Sequence, residues 1–353
     1  MFSIKSLEEA KPLDEFCLTV KDEEAKTQYE EACAYDLELY PDGALAVKGR
    51  GAVPISDSAL DDLAGFVKVP APFLSNCDSE LRAHIFNWRL RRTEPEKIPI
   101  QIVYREDRVD RILETELIST HRYPILDTVS NAIPSDIQRD GLRVLPYAWN
   151  GHFDISIVTR ERQSEPQKGD VVAFGINVSD GSDGSIQIHG ATYRLACSNG
   201  AVTRVCDGNK HRLRRPLNKP GREKEYFKKL SSFVVEAWNG WESHARELEA
   251  LTRESVDRDR MEAIRGRLRQ APFFLSKKNI DRVFAQLDRE IAGSGGIPGT
   301  SFRMYDLWNA ISAVGTHTEN LSRVDANRLR LGAGELTRGS SRICNVCRRA
   351  ITS

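Results

Sequence analysis

The chain has 353 residues, 51 Lys and Arg against 51 Asp and Glu, with 40% hydrophobic and 29% charged side chains. A chain of this length can form two domains and bury a sizeable core without disulfides, and this balance of apolar and charged residues excludes general disorder. No apolar run approaches the ~18 residues of a membrane span, and Met1–Phe16 lacks the basic-then-apolar order of a secretory signal.

Taken in chain order, residues 1–34 form an acidic arm expected to lie at the periphery. Residues 35–205 then mix strands with short helices. The runs 36–40 and 44–48 flank Pro41-Asp42-Gly43, which is hairpin turn chemistry. Ser56 or Ser58 caps a helix carrying Leu60, Leu63 and Phe66, and Asn76 or Asp78 starts a second one with Leu81, Ile85 and Trp88. Strands are predicted over 98–104, 112–118, 152–158, 171–178 and 185–197. A basic linker loop follows at 206–221, then a helical domain over 222–336 with helices at 222–250, 254–270, 276–292, 302–317 and 322–335. A basic tail closes the chain at 337–353. The expected fold class is α+β: a mixed or antiparallel sheet domain with short helices, followed by a helical C-terminal domain.

The zero net charge is a sum of unlike segments. Residues 1–50 hold 12 acidic and 6 basic side chains, whereas residues 203–230 hold 10 basic and 3 acidic. Lys210, His211, Arg212, Arg214, Arg215 and Lys219 form a dense cationic loop broken by Pro and Gly, suited to following a phosphate backbone. Upstream, YRLACSNG (193–200) leaves a strand at a Gly turn, where Arg194 and Asn199 present donors to a phosphate or carboxylate. A structural ion pair for Arg194 is the competing account. Tyr226, Phe227, Trp238 and Trp241 either stack on bases or, at helical spacing, fill a core.

Seven cysteines make no disulfide framework, and the expected compartment is the cytoplasm. Cys344 and Cys347 form a lone pair in the basic tail, and Cys197 and Cys206 are too widely spaced for a zinc knuckle, so neither a metal nor a cofactor is expected. No phosphate-binding loop, nucleophile elbow, zinc-protease or dinucleotide signature occurs. His152 and His189 lie in predicted strands, where a satisfied sheet histidine outweighs a ligand.

Several segments together resemble the phage/plasmid-like family catalogued as domain of unknown function nine-hundred-thirty-two. In residues 169–202 the pattern falls on Gly169, Asp170, Asn177, Arg194, Cys197, Asn199 and Gly200, with Val178 where Ser is usual and a longer turn at SDGSDG. Residues 304–336, with Asn309-Ala310, are similar to that family's C-terminal helix, and residues 69–90 to its early helical segment. The resemblance implies a mobile-element protein and supplies no catalytic residue. The combined expectation is a nucleic-acid-binding protein, with single-stranded DNA favoured, bound through Arg194, Asn199 and Lys210–Lys219. Catalysis and membrane contact are not expected, and self-association fits the oppositely charged ends. A metal-dependent nuclease and an interaction or assembly protein are the alternatives. Were the acidic arm to shield the basic loop, deleting residues 1–34 would tighten nucleic-acid binding.

Overall fold

The structure is a computed structural model. It describes residues 7, 10–70, 73–74, 77–92, 98–115, 121–148, 153–180, 185–195, 202–205, 211–257, 260–270, 273–293, 295, 297, 301–318, 321 and 323–338. The chain begins with β1 (Lys11–Pro12) and α1 (Leu13–Ala25), and β2 (Gln28–Cys33) follows. The predicted hairpin is present as β3 (Leu37–Leu39) and β4 (Ala44–Val47), with Gly43 at φ +86° in the turn, where a side chain would be strained. β5 (Arg50–Pro54) completes a three-stranded sheet in the order β3-β4-β5. The hydroxyl of Ser56 accepts the Ala59 N–H at the start of α2 (Asp57–Phe66). Asp78 does the same for Leu81 at the start of α3 (Ser79–Arg92).

β6 (Pro99–Arg105) and β7 (Arg108–Glu114) pair with β2 in a second small sheet, order β2-β6-β7. The apolar faces of both small sheets close on α2 and α3 around Leu39, Leu45, Leu63, Phe86 and Ile102. After α4 (Arg122–Asn131) come the strands of the main sheet: β8 (Arg143–Ala148), β9 (Asp154–Gln167), β10 (Asp170–Asp180), β11 (Ile186–Arg194), β12 (Val202–Val205) and β13 (Arg212–Leu213). Its order is β1-β8-β9-β10-β11-β12, with β13 also pairing β11, and every pair is antiparallel.

The remaining elements are α5 (Arg222–Asn239), α6 (Trp241–Arg253), β14 (Ser255–Val256), α7 (Met261–Leu268), α8 (Lys277–Gly293), β15 (Phe302–Arg303), α9 (Met304–His317) and α10 (Arg323–Arg338). The α+β class is thus observed, with helices dominating the C-terminal region. Side chains alternate along β10, so Val172, Phe174, Ile176 and Val178 share one face. The Ile176–Val178 end of that face packs on α1, α4 and α5, and the Val172–Phe174 end on α6 to α10. The opposite face buries Val158, Ala173 and Tyr193 with Leu7 and Ala10.

Four expectations need correction. The acidic arm is not peripheral. Leu13, Phe16 and Val20 of α1 are buried in the central core, because an amphipathic helix hides its apolar side whatever its net charge. The C-terminal helices form no separate domain, since α5 lies on the main sheet and the other helices share a core with Val172 and Phe174. The single helix expected over 222–250 is two helices meeting at Gly240, and the one expected over 254–270 shrinks to Met261–Leu268, Ser255–Val256 being extended and paired with β15. Finally, the expected basic loop carries β13, which pairs Arg212 with Gln187 and Leu213 with Ile186.

Candidate nucleic-acid interface

Arg194 is held inside the fold. Its Nε donates to Asp170 at 2.7 Å and one terminal nitrogen to Glu290 of α8 at 3.0 Å, while the Tyr305 hydroxyl donates to the other Asp170 oxygen at 3.1 Å. Asp170 and Arg194, two positions of the family-like pattern, are therefore each other's partners, and Tyr305 brings the C-terminal segment onto them. Gly169, at φ +82°, makes the turn that delivers Asp170. Asn177, another pattern position, is fully buried and donates to Asp154, to the Ile155 carbonyl and to Ser156, tying β10 to β9.

The cationic loop divides. His211 is buried, stands 3.1 Å from Glu236 and packs on the Phe233 ring. Arg212 donates to the Ser185 hydroxyl at 3.0 Å. Arg215 is half-buried, and burial together with the nearby Arg111 holds its pKa below the ordinary guanidinium value. Arg214 and Lys219 are exposed, as are Lys224, Lys228 and Lys229 on α5. Asn199, Lys210, His152, Cys197, Cys206, Cys344 and Cys347 lie outside the described residues. Tyr226 and Trp238 are core side chains, and Trp241 packs on Phe174 with ring centroids 5.9 Å apart. Helical spacing, the competing account for these aromatics, describes them correctly.

A cleft of about 430 Å³ that the sequence did not single out opens between the β3-β4 hairpin and α3. Its geometry follows from one side chain. Asn87 accepts the Leu39 N–H at 3.0 Å and donates to the Leu39 carbonyl at 2.9 Å, so α3 docks on the free edge of β3 and becomes one wall. The short helical turn Ala34–Asp36 places Tyr35 at one side, and the hairpin turn places Tyr40 at the other. The two tyrosines are 55% and 39% exposed. Lys48, Arg50 and Arg91 bring three cations to the lining, against Asp36 and Glu38. Lys48 stands 3.9 Å from Asp36, and Arg50 is bound to Glu30 and stacked over Tyr104, whereas Arg91 makes no ion pair among the described residues. Beside Arg91 on α3, Trp88 is 44% exposed with the Arg92 guanidinium 4.5 Å above its ring.

Aromatic faces and cations around an open cleft are what a nucleobase with its phosphate needs. Hairpin, turn and helix are each legible locally, but the cleft exists only through Asn87 and Leu39, 48 residues apart. Comparison with known proteins returns no relative: no family model matches the chain, and no curated protein and no solved structure matches it. Among the described residues no group of three or more His, Cys, Asp and Glu is placed to hold a metal ion, and no helix is long and apolar enough to cross a membrane.

Proposed function

We propose that the protein binds single-stranded nucleic acid, with bases stacking on Tyr35 and Tyr40 and phosphates meeting Arg91 and Lys48. The observation that carries this reading is the open cleft between the β3-β4 hairpin and α3, lined by two exposed tyrosines and three cations. The exposed Arg214, Lys219, Lys224, Lys228 and Lys229 add a second cationic surface over which a strand can continue. The resemblance of residues 169–202 to a phage- and plasmid-borne family supports a role in replication or recombination of a mobile element, in the cytoplasm of its host. Arg194 and His211 are left out of this reading, being tied to Asp170 and Glu290 and to Glu236.

Fluorescence anisotropy with a labelled oligothymidylate at two salt concentrations tests the proposal. Binding should weaken with salt, with a log–log slope of roughly −0.7 per phosphate neutralised. Replacing Tyr35 and Tyr40 together by Ala should cost ~1–3 kcal/mol per stacked base. Absence of binding at low salt, or full affinity in the double variant, would overturn it.

A further inference from the structure

A second cleft, of about 310 Å³, lies between α8 and α9, among the C-terminal helices, and shares no lining residue with the tyrosine cleft. Arg282, Gln286 and Arg289 form one stripe of α8, at the i, i+4, i+7 spacing that shares a helix face. His317 and Thr318, at the end of α9, stand opposite, over the small side chain of Ala313. Arg282 donates to the side chain of Asn279 at 3.1 Å and Arg289 to that of Gln286 at 3.1 Å. Among the described residues neither makes an ion pair. The nearest acid on the same helix face, Glu290, is already taken by Arg194 and Gln286. Each guanidinium has five N–H groups, so both retain donors for a ligand.

The His317 Nε2 is buried and finds no hydrogen-bond partner among the described residues. Burial also holds the His317 pKa below its ordinary value, so the imidazole meets a ligand in its neutral form near pH 7. The C-terminus of α9 brings a partial negative charge that opposes an anion, worth ~0.3–1 kcal/mol at an exposed end. The two arginines do not serve to neutralise that end, for their bonds go to Asn279 and Gln286 and to no carbonyl of α9. Seven residues on a helix span about 10.5 Å, the gap that a ligand held by both arginines bridges. Two guanidiniums on one cleft wall suit the charge and the oxygen geometry of a phosphate. The size of the cleft suits a small molecule.

We propose that the α8–α9 cleft is a binding site for a small phosphomonoester, its phosphate held between Arg282 and Arg289 and its polar body bonded by His317 and Thr318. The site is independent of the tyrosine cleft. Isothermal titration of the full chain with inorganic phosphate and with ribose 5-phosphate, at fixed ionic strength, tests it. Saturable binding of either probe is expected, with ribose 5-phosphate tighter if the body contacts form. Replacing Arg282 and Arg289 by Gln should weaken binding about tenfold or more per arginine, with an unchanged circular dichroism spectrum. Gln286→Glu, which sets a carboxylate between the arginines without removing either, should abolish binding, and it decides the matter if the arginine variant fails to fold. No saturable binding by the unaltered protein, or undiminished affinity in a folded variant, would overturn the proposal.

Discussion

Arg111 and Arg194 each answer two carboxylates from distant parts of the chain. Arg111 makes a bidentate pair with Asp62 of α2 and a third bond to Asp180 of β10 at 2.9 Å. Burial works against its charge, but Asp62 and Asp180 outweigh it and push its pKa above the ordinary value. Arg194→Met would leave Asp170 and Glu290 without their cation, and removing one partner of such a pair costs about 3–5 kcal/mol. Urea denaturation should show that loss, while oligonucleotide affinity of the folded protein stays unchanged. Asp306 supplies a pH test. Burial raises its pKa, opposed by the Arg303 N–H it accepts, so the folded state holds the proton more tightly than the unfolded chain. Its contribution to stability is then present at acid pH and lost as pH rises through the raised value. Asp306→Asn keeps an acceptor for the Arg303 N–H and should flatten this part of the pH profile, read as urea midpoints between pH 4 and 7. A structural ion pair was legible for Arg194 as the competing account, without its partners, whereas the roles of Arg111 and Asp306 were not legible in the sequence. The partners of Arg194 lie 24 residues upstream and 96 downstream, and nothing local separates a buried arginine from one offered to a ligand.

Elements were far more legible than residues. The turn at Pro41-Asp42-Gly43, the Ser56 cap and the apolar spacing of Tyr226, Leu230, Val234, Ala237 and Trp238 act within a few residues, and they shape the β3-β4 hairpin, α2 and α5 where expected. What the local pattern omits is how closely elements approach. At Gly175 of β10 a Cβ would stand 1.9 Å from the Ile157 carbonyl oxygen, next to the register shift between Ala173 and Phe174. Gly175→Ala should therefore destabilise by ~3 kcal/mol or more, the upper range of overpacking, checked by thermal unfolding. Asn87→Ala tests the edge of β3. It strips partners from the buried Leu39 backbone, a loss of about 1–3 kcal/mol for each group left unsatisfied, and it should weaken oligonucleotide binding by releasing the wall of the tyrosine cleft.

At the scale of the molecule, the four apolar clusters of the described residues are joined by strands and ion pairs. The main sheet runs through three of them, and Arg111 fastens the N-terminal sheets and α2 to β10. Deleting residues 1–34 removes α1 from the central core, β1 from the main sheet and β2 from its pair with β6. The expected result is lost ellipticity and an early unfolding transition, in place of the tighter nucleic-acid binding that charge alone suggested. The acidic segment is a structural part whose carboxylates face partners: Glu23 and Glu24 reach Arg105, and Asp14 reaches Arg139.

By itself the sequence determined the α+β class, the hairpin, the helix caps and the segregation of charge, because propensity, capping and periodicity act over one or two turns of chain. Only the tertiary structure decided which cations are spent and which are offered. Arg194 and His211 are tied to carboxylates in the fold, whereas Arg91, Arg282 and Arg289 line clefts with no ion pair among the described residues. The physical reason is that an ion pair is settled by the distance between atoms in space, and the partners of Arg194 lie 24 and 96 residues away along the chain.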